Sequence, residues 1–288
     1  MSRFKNIKAS QLILAFFIAL ARFLWTEDKH IITTKYQYRS KNVPTGFDGY
    51  KIVQVSDYHN AFFGRRARHL LKAIKKSEPD VIFITGDVID RRTPFLKRSK
   101  AFIERVTDIK DTYYVTGNHE ADYRNFHKLF EIIGSSKVKS VTKKPVELER
   151  NGDYINLAGI DDVWFFGDEE NAWTYRDFDQ ALKKNTTNLP NDFTILLAHR
   201  PELLKMYSKY PVDLVFCGHA HGGQIRLPVV KGLYAPHQGI NPKYTEGMHE
   251  RNGTTMVVSR GLGNSRFPFR VFNHPEIVVV ELKREDPE

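Results

Sequence analysis

Short apolar runs recur from residue 50 onwards, at 50–55, 81–85, 112–116, 154–160, 193–198, 214–217, 223–227, 254–259 and 276–282. They are rich in Val, Ile, Phe and Tyr, and most end in a small or polar cluster, the pattern that predicts strands. Between them, stretches at about 65–77, 95–107, 121–133, 177–184 and 201–208 predict helices. Strand alternating with helix predicts an α/β (α+β) fold with mainly parallel pairing in the first half. The later runs are joined by short Gly- and Pro-containing connections, which predicts more antiparallel pairing there.

Polar residues fall where five of these runs end. The endings read Ser56-Asp57-Tyr58-His59, Gly86-Asp87-Val88-Ile89-Asp90, Gly117-Asn118-His119-Glu120, His199-Arg200-Pro201 and Gly218-His219-Ala220-His221. In an α/β sheet ligands bind beyond the carboxyl ends of the strands, where such side chains converge. Taken singly, each ending has an ordinary explanation. An Asn-His is a turn, a Gly-Asp is a helix cap, and a lone His is a hydrogen-bonded core residue. Five in order argue for one shared site.

Asp57, His59, Asp87, Asn118, His199, His219 and His221 offer four imidazoles, two carboxylates and an amide oxygen. A mixture of N and O donors without thiolate suits Mn²⁺, Fe, Zn²⁺, Co²⁺ or Ni²⁺ better than Ca²⁺. Seven side chains exceed the needs of one transition metal and fit two divalent metal ions sharing a carboxylate. Such a pair lowers the pKa of a bridging water to near 7 and neutralises phosphoryl oxygens during in-line attack.

The N-terminal stretch has a different character. Arg3, Lys5 and Lys8 lead into Gln-Leu-Ile-Leu-Ala-Phe-Phe-Ile-Ala-Leu-Ala-Arg-Phe-Leu-Trp at 11–25, and Ile7 to Trp25 is 19 residues. As a helix that spans roughly 28 Å, enough for a bilayer if Lys8 and Arg22 snorkel to the headgroups. A retained anchor is the preferred reading. A signal peptide cleaved after Ala19-Leu20-Ala21 and a helix lying in the interface are the others. If it spans, the positive-inside bias places the body outside the cytoplasm, at the cell membrane. The chain divides into an anchor or signal-like segment at 1–27, a connecting segment at 28–49 and a catalytic domain at 50–285.

Composition adds bounds. At 41% hydrophobic and 27% charged residues, the chain is neither disordered nor fibrous. The net charge of +10 favours anionic partners, including phosphate esters and anionic membrane surfaces. Nucleic acid is disfavoured, because no basic stripe with interleaved aromatics stands out. The basic run Arg65, Arg66, Arg68, Lys72, Lys75 and Lys76 reads as a solvated helix face. Cys217, the single cysteine, reads as a packed strand residue. Asp161, Asp162 and Trp164-Phe165-Phe166 are assigned to a loop near the site entrance, and His237 and His249 to exposed loops.

The five endings together resemble those of the calcineurin-like metallophosphoesterase superfamily, over about residues 50 to 282. The resemblance implies a four-layer αββα sandwich of two mixed sheets with the metal site at the carboxyl ends of the strands. It also implies one metal on Asp57, His59, Asp87 and His221, and another on Asp87, Asn118, His199 and His219. By the same resemblance His119 stabilises the transition state or protonates the leaving group, and Asp90 orients His119 or a metal ligand. The stretch Gly218-His219-Ala220-His221-Gly222-Gly223-Gln224-Ile225-Arg226-Leu227-Pro228, with Ser259-Arg260-Gly261-Leu262-Gly263, is similar to a bacterial subgroup. That subgroup contains membrane-associated phosphodiesterases and enzymes cleaving the pyrophosphate of UDP-diacylglucosamine. Arg226, Arg260 and Arg266 are therefore candidate substrate-phosphate contacts. The implied function is a phosphodiesterase or pyrophosphatase acting on a lipid-linked or cell-envelope phosphate. A nucleotide or nucleic-acid phosphodiesterase or phosphomonoesterase, and a non-catalytic scaffold, are the competing readings.

Overall fold

The computed structural model describes residues 9–93, 95–168, 170–226, 232–265 and 267–285. The cationic leader Arg3, Lys5 and Lys8, and Arg266, lie outside the described residues. Helix α1 (Ala9–Lys29) precedes β1 (Ile32–Ser40) and β2 (Lys51–Val55). Then come α2 (Arg68–Lys76), β3 (Val81–Thr85), α3 (Leu96–Val106), β4 (Thr112–Val115), α4 (Asn118–Ala121), α5 (Phe126–Gly134) and β5 (Lys139–Ser140). The second half runs β6 (Val146–Arg150), β7 (Asp153–Gly159), α6 (Ala172–Thr186), β8 (Thr194–Leu197), α7 (Leu204–Tyr207) and β9 (Leu214–Cys217). It closes with β10 (Tyr234–Ala235), β11 (Gly239–Ile240), β12 (Gly247–Arg251), β13 (Thr254–Val258) and β14 (Glu276–Arg284).

Two six-stranded sheets form, ordered β1-β14-β2-β3-β4-β5 and β12-β13-β9-β8-β7-β6. Strand alternation sends successive side chains to opposite faces, and each face meets its own core. In β3, Val81 and Phe83 join Leu157, Ile195 and Phe216 between the two sheets. Ile82 and Ile84 point the other way, onto Leu70, Ile74, Phe102 and Leu129 of α2, α3 and α5. On the far side Leu196 and Val215 pack against Phe178, Leu182 and Tyr207 of α6 and α7. Three apolar layers separate four structural ones, so the αββα sandwich holds. Cys217 is buried in β9, and the Lys and Arg of α2 face solvent.

The later strands supply the antiparallel pairs expected of them, while β2 to β5 pair parallel. In detail the structure departs from expectation. The centre of the second sheet, β7-β8-β9-β13, is parallel, and antiparallel pairs sit only at its edges. The reason is that α6 is longer than the stretch 177–184 suggests, and with the turns of 201–207 it supplies the crossovers that parallel neighbours need. The run 223–227 makes no strand among the described residues. Gly222, Gly223 and Gln224 take φ of +63°, +78° and +63°, turning the chain so that Ile225 and Arg226 form only isolated bridges. The stretch 121–133 is broken into α4 and α5 around the buried Tyr123. The connecting segment 28–49 contains β1, which pairs parallel with β14 and turns Tyr38 into the inter-sheet core.

Candidate metal centre

Asp57, Asp87 and Asn118 follow β2, β3 and β4, while His199, His219 and His221 follow β8 and β9, so both sheets contribute at the same end. All seven candidate donors are buried. Asp57, His59, Asp87, His219 and His221 have φ of +52°, +47°, +54°, +65° and +48°. Non-glycine residues rarely take that left-handed conformation, and where they cluster the surrounding structure holds them for a function. Close packing of the loops depends on glycine. A Cβ on Gly218 would collide with Ser56 Oγ and Asp57 Oδ2, and Gly86, at φ +90°, leaves none of the room a Cβ would need beside His199 and Gly117.

Asp87 stands at the centre. Its Oδ2 lies 3.5 Å from His59 Nε2 and 3.4 Å from His199 Nε2. On one side His59 Nε2 and His221 Nε2 are 3.2 Å apart, and His221 Nε2 is 3.3 Å from Asp57 Oδ1. On the other, His199 Nε2 is 3.2 Å from both Asn118 Oδ1 and His219 Nδ1. Two donors each about 2.1 Å from one cation, at about 90–110°, would stand roughly 3.0–3.4 Å apart. The observed spacings match that edge length, and Asp57, His59, Asp87 and His221 form one such group and Asp87, His199 and His219 another. The donor set therefore fits two cations sharing Asp87.

Outer contacts fix these rings. His199 Nδ1 is 2.7 Å from Thr85 O and His221 Nδ1 is 3.2 Å from Gly263 O. A carbonyl only accepts, so each Nδ1 carries a proton and each ring turns Nε2 towards the centre. His219 turns Nδ1 inward, and its Nε2 is 2.8 Å from Nδ1 of His237 on the β10–β11 turn. The two rings stack with centroids 5.0 Å apart. His237, read from the sequence as an exposed loop residue, is thus a partner of a site residue.

Burial opposes the charge of Asp87, yet His199 beside it holds its carboxyl well below the usual carboxylate range. Burial likewise opposes charge on His199, but Asp87 and Asp57 outweigh it and raise this imidazole to about 10. His219 and His221 are pushed well down, first by burial and then by neighbouring imidazoles. Glu120 is buried beneath the loops, and burial with the Asp87 charge raises it to about 8. Its carboxylate accepts the N–H groups of Asp87 at 2.8 Å, Val88 at 2.7 Å and Gly117 at 2.6 Å. Sequence reading gave Glu120 no role, although its place in Gly117-Asn118-His119-Glu120 was the available signal.

His119 edges onto the His59 ring with centroids 4.4 Å apart, and its backbone N–H donates to Asp87 Oδ1 at 2.8 Å. Its Nδ1 accepts the Arg91 N–H at 3.2 Å, so the neutral ring carries its proton on Nε2. Burial drives this imidazole down to about 3 despite Asp87. Asp90, implied to orient His119 or a metal ligand, has its Oδ1 3.7 Å from His119 Nδ1. Its carboxylate also grips Arg92, accepting from the backbone N at 2.8 Å and from Nε and Nη2 at 3.1 Å.

Arg226 and Arg260 are also placed differently. Arg226 pairs with Glu246, and Arg260 lies 3.2 Å from both Glu246 and Glu276. Their guanidinium groups are engaged by carboxylates, and neither lines the cavity of about 280 Å³ above the cluster. Arg91, Arg92 and Trp164 line it with His119 and His237. Trp164 sits between Arg91 and Arg200, each guanidinium 5.2 Å from its ring; of the segment expected at the entrance it is the residue that lines this cavity, while Asp162 is buried and Phe166 packs on Phe178. Asp162 clamps the buried Arg200 at 2.7 and 2.8 Å.

Comparison with known sequences points the same way. The profile of the calcineurin-like phosphoesterases matches residues 50–223. The metallophosphoesterase YkuE of Bacillus subtilis is 34% identical over 91% of this chain and 88% of its own length. A bovine transmembrane protein with a metallophosphoesterase domain is 30% identical over 84% of this chain, which spans about half of that relative, 54%. Among solved structures, TT1561 of Thermus thermophilus overlaps 74% of this chain and 90% of its own, with a TM-score of 0.47 at 15% identity.

Proposed function

Because this chain belongs to the calcineurin-like phosphoesterase family and is a metal-dependent phosphoester hydrolase with a dinuclear divalent metal site, we propose a specific division of labour among its residues. Asp57, His59, Asp87 and His221 hold one ion. Asp87, Asn118, His199 and His219 hold the other. The observation that carries this reading is the position of Asp87 Oδ2, within 3.5 Å of His59 Nε2 and 3.4 Å of His199 Nε2. The bound ions supply Lewis acidity towards water and towards the phosphoryl oxygens.

The remaining groups position and stabilise. His119, neutral and protonated on Nε2, donates a hydrogen bond to a phosphoryl oxygen as negative charge develops there. Cations nearby disfavour a charged imidazole further, which supports transition-state stabilisation over protonation of the leaving group. Arg91 and Arg92 face the same cavity and attract the phosphate, with Arg92 held in place by Asp90.

The substrate we propose is a lipid-linked or cell-envelope phosphodiester or pyrophosphate, close to the specificity of the UDP-diacylglucosamine-cleaving subgroup. Supporting it are helix α1, long and apolar enough to cross a bilayer, and the transmembrane name of a relative. In this reading α1 is a retained anchor and the catalytic body, 50–285, stands outside the cytoplasm. The test is hydrolysis of bis(p-nitrophenyl) phosphate by the full chain with Mn²⁺, with and without chelator, beside Asp87→Asn. Chelator-sensitive turnover that Asp87→Asn abolishes along with bound metal is the expected result. Full activity and full metal content in Asp87→Asn would overturn the shared-carboxylate assignment.

A further inference from the structure

Helix α1 does not hang from the body as a loose tether. Glu27, buried, accepts the Asn273 N–H at 2.9 Å, and Asp28 accepts the Arg270 N–H at 2.8 Å and Asn264 Nδ2 at 3.1 Å. Two neighbouring carboxylates at the helix end thus grip one loop, at Asn264, Arg270 and Asn273. The same loop supports the metal centre. Gly263 O faces His221 Nδ1 at 3.2 Å, Arg270 Nη2 donates to Gly263 O at 2.6 Å, and Asn273 Nδ2 donates to His221 O at 2.8 Å. One loop therefore separates the end of an apolar helix from a candidate metal ligand.

The surface around that junction is aromatic. Phe272, 58% exposed, packs on Phe23 with ring centroids 5.5 Å apart. At 1.5 Å per residue Phe23 lies about 9 Å along the helix before Lys29, within the apolar stretch. Whatever covers α1 must then also meet the loop. Phe267, Phe62 and Phe95 are 41%, 47% and 57% exposed. Arg98 lies between the last two, 5.6 Å from the Phe62 ring and 4.9 Å from the Phe95 ring. A cleft of about 220 Å³ starts among Lys29, Phe62, Phe95 and Arg98 and reaches His59 and Asp90. Its two acidic residues have partners, Asp28 in the loop and Asp90 in Arg92, so Lys29 and Arg98 set the charge at its outer end.

We propose that Phe62, Phe95, Phe267 and the end of α1 form one surface that rests in an anionic lipid bilayer. The cleft that Lys29, Phe62 and Phe95 line is the entrance through which a lipid-borne phosphate reaches the metal centre without leaving the membrane surface. Aromatic side chains beside cationic ones are the chemistry of an interfacial contact, with rings at headgroup level and guanidinium on lipid phosphate. The proposal rests on the reading of α1 as a membrane helix. It adds that the catalytic body itself touches lipid, in a fixed orientation.

The full chain carries one cysteine, buried, which allows single-site labelling. Phe62→Cys, Phe95→Cys and Phe267→Cys, with Tyr154→Cys at the opposite end of the sheet as control, would each carry a nitrobenzoxadiazole label. Reconstitution uses nanodiscs of phosphatidylcholine and phosphatidylglycerol, and thermal melting checks each variant for folding. The expected result is strong quenching at 62, 95 and 267 by lipids bearing a nitroxide near the headgroup, weak quenching there by aqueous iodide, and the reverse at 154. Iodide quenching at all four positions would overturn the lipid-facing surface while leaving the anchor intact. Protection from both quenchers at 62, 95 and 267 would mean that a second protein copy covers the face, and would overturn it too. Failure of the unmodified chain to enter nanodiscs or float with vesicles would overturn the membrane reading itself.

Discussion

The Glu120 carboxylate accepts the backbone N–H of Asp87 at 2.8 Å, and through Val88 and Gly117 it ties the loop after β3 to the loop after β4. Asp87 is the carboxylate that faces both groups of donors, so Glu120, which belongs to neither group, sets where the proposed shared oxygen sits. Glu120→Ala would strand buried backbone donors, each costing about 1–3 kcal/mol. The expected loss is about 3 kcal/mol or more of stability, with weakened retention of both metals. Thermal or urea unfolding of the chelated protein measures the first, and metal content after dialysis the second. An unchanged melting temperature would refute the bracing role.

Metal affinity should depend on pH through His199. In the metal-free protein Asp87 and Asp57 raise this imidazole to about 10, so it stays protonated throughout the neutral range. A cation needs the Nε2 lone pair and must displace that proton. Affinity therefore rises with pH up to about 10 and falls on acidification, by about tenfold per pH unit for the one proton. The metal-free state responds in the opposite sense. Because the folded value exceeds the unfolded one near 6.5, the stability that His199 contributes is fully present below 6.5 and is lost as pH rises towards about 10. Metal titrations at pH 6, 7 and 8, with proton release followed in weak buffer, test both statements.

His119→Ala should separate binding from chemistry. The residue donates towards the cavity and coordinates nothing in the proposed arrangement. Removal of one such donor typically costs about 10²–10³ in kcat. The expected variant keeps both metals, keeps KM within a few-fold and loses that factor in turnover. His119→Gln, which retains an N–H donor, should recover part of it. Loss of metal in His119→Ala would instead make it a ligand or a brace.

His237 should tune one metal position and spare the other. Its Nδ1, 2.8 Å from His219 Nε2, fixes which nitrogen of His219 faces inward. Loss of such an outer partner typically weakens metal binding by about 10–100-fold. His237→Ala should therefore release one ion per chain at limiting Mn²⁺ while the other is retained, as read by metal analysis after gel filtration. Retention of both ions at wild-type affinity would show that the contact is incidental.

Much of this molecule was written locally. Each candidate donor follows a strand within a few residues, so strand periodicity and the position of Asp57, Asp87, Asn118, His199, His219 and His221 placed the site before any packing was known. Alternation within β3 sends Val81 and Phe83 towards the other sheet and Ile82 and Ile84 towards the helices, because side-chain direction in a strand has period two. What the sequence could not decide depended on partners distant along the chain. Strand β1 is half exposed and gains its place only by pairing with β14, some 240 residues later. Arg226 and Arg260 meet Glu246 and Glu276 only through the fold. Arg91 and Arg92 reached the cavity because Asp90 and the Trp164 loop hold them there. His237 met His219 only through the turn between β10 and β11. Local patterning chose the residues that can do chemistry. The charge each one meets, and hence its role, was chosen by tertiary packing, because electrostatic and hydrogen-bond partners are neighbours in space rather than in sequence.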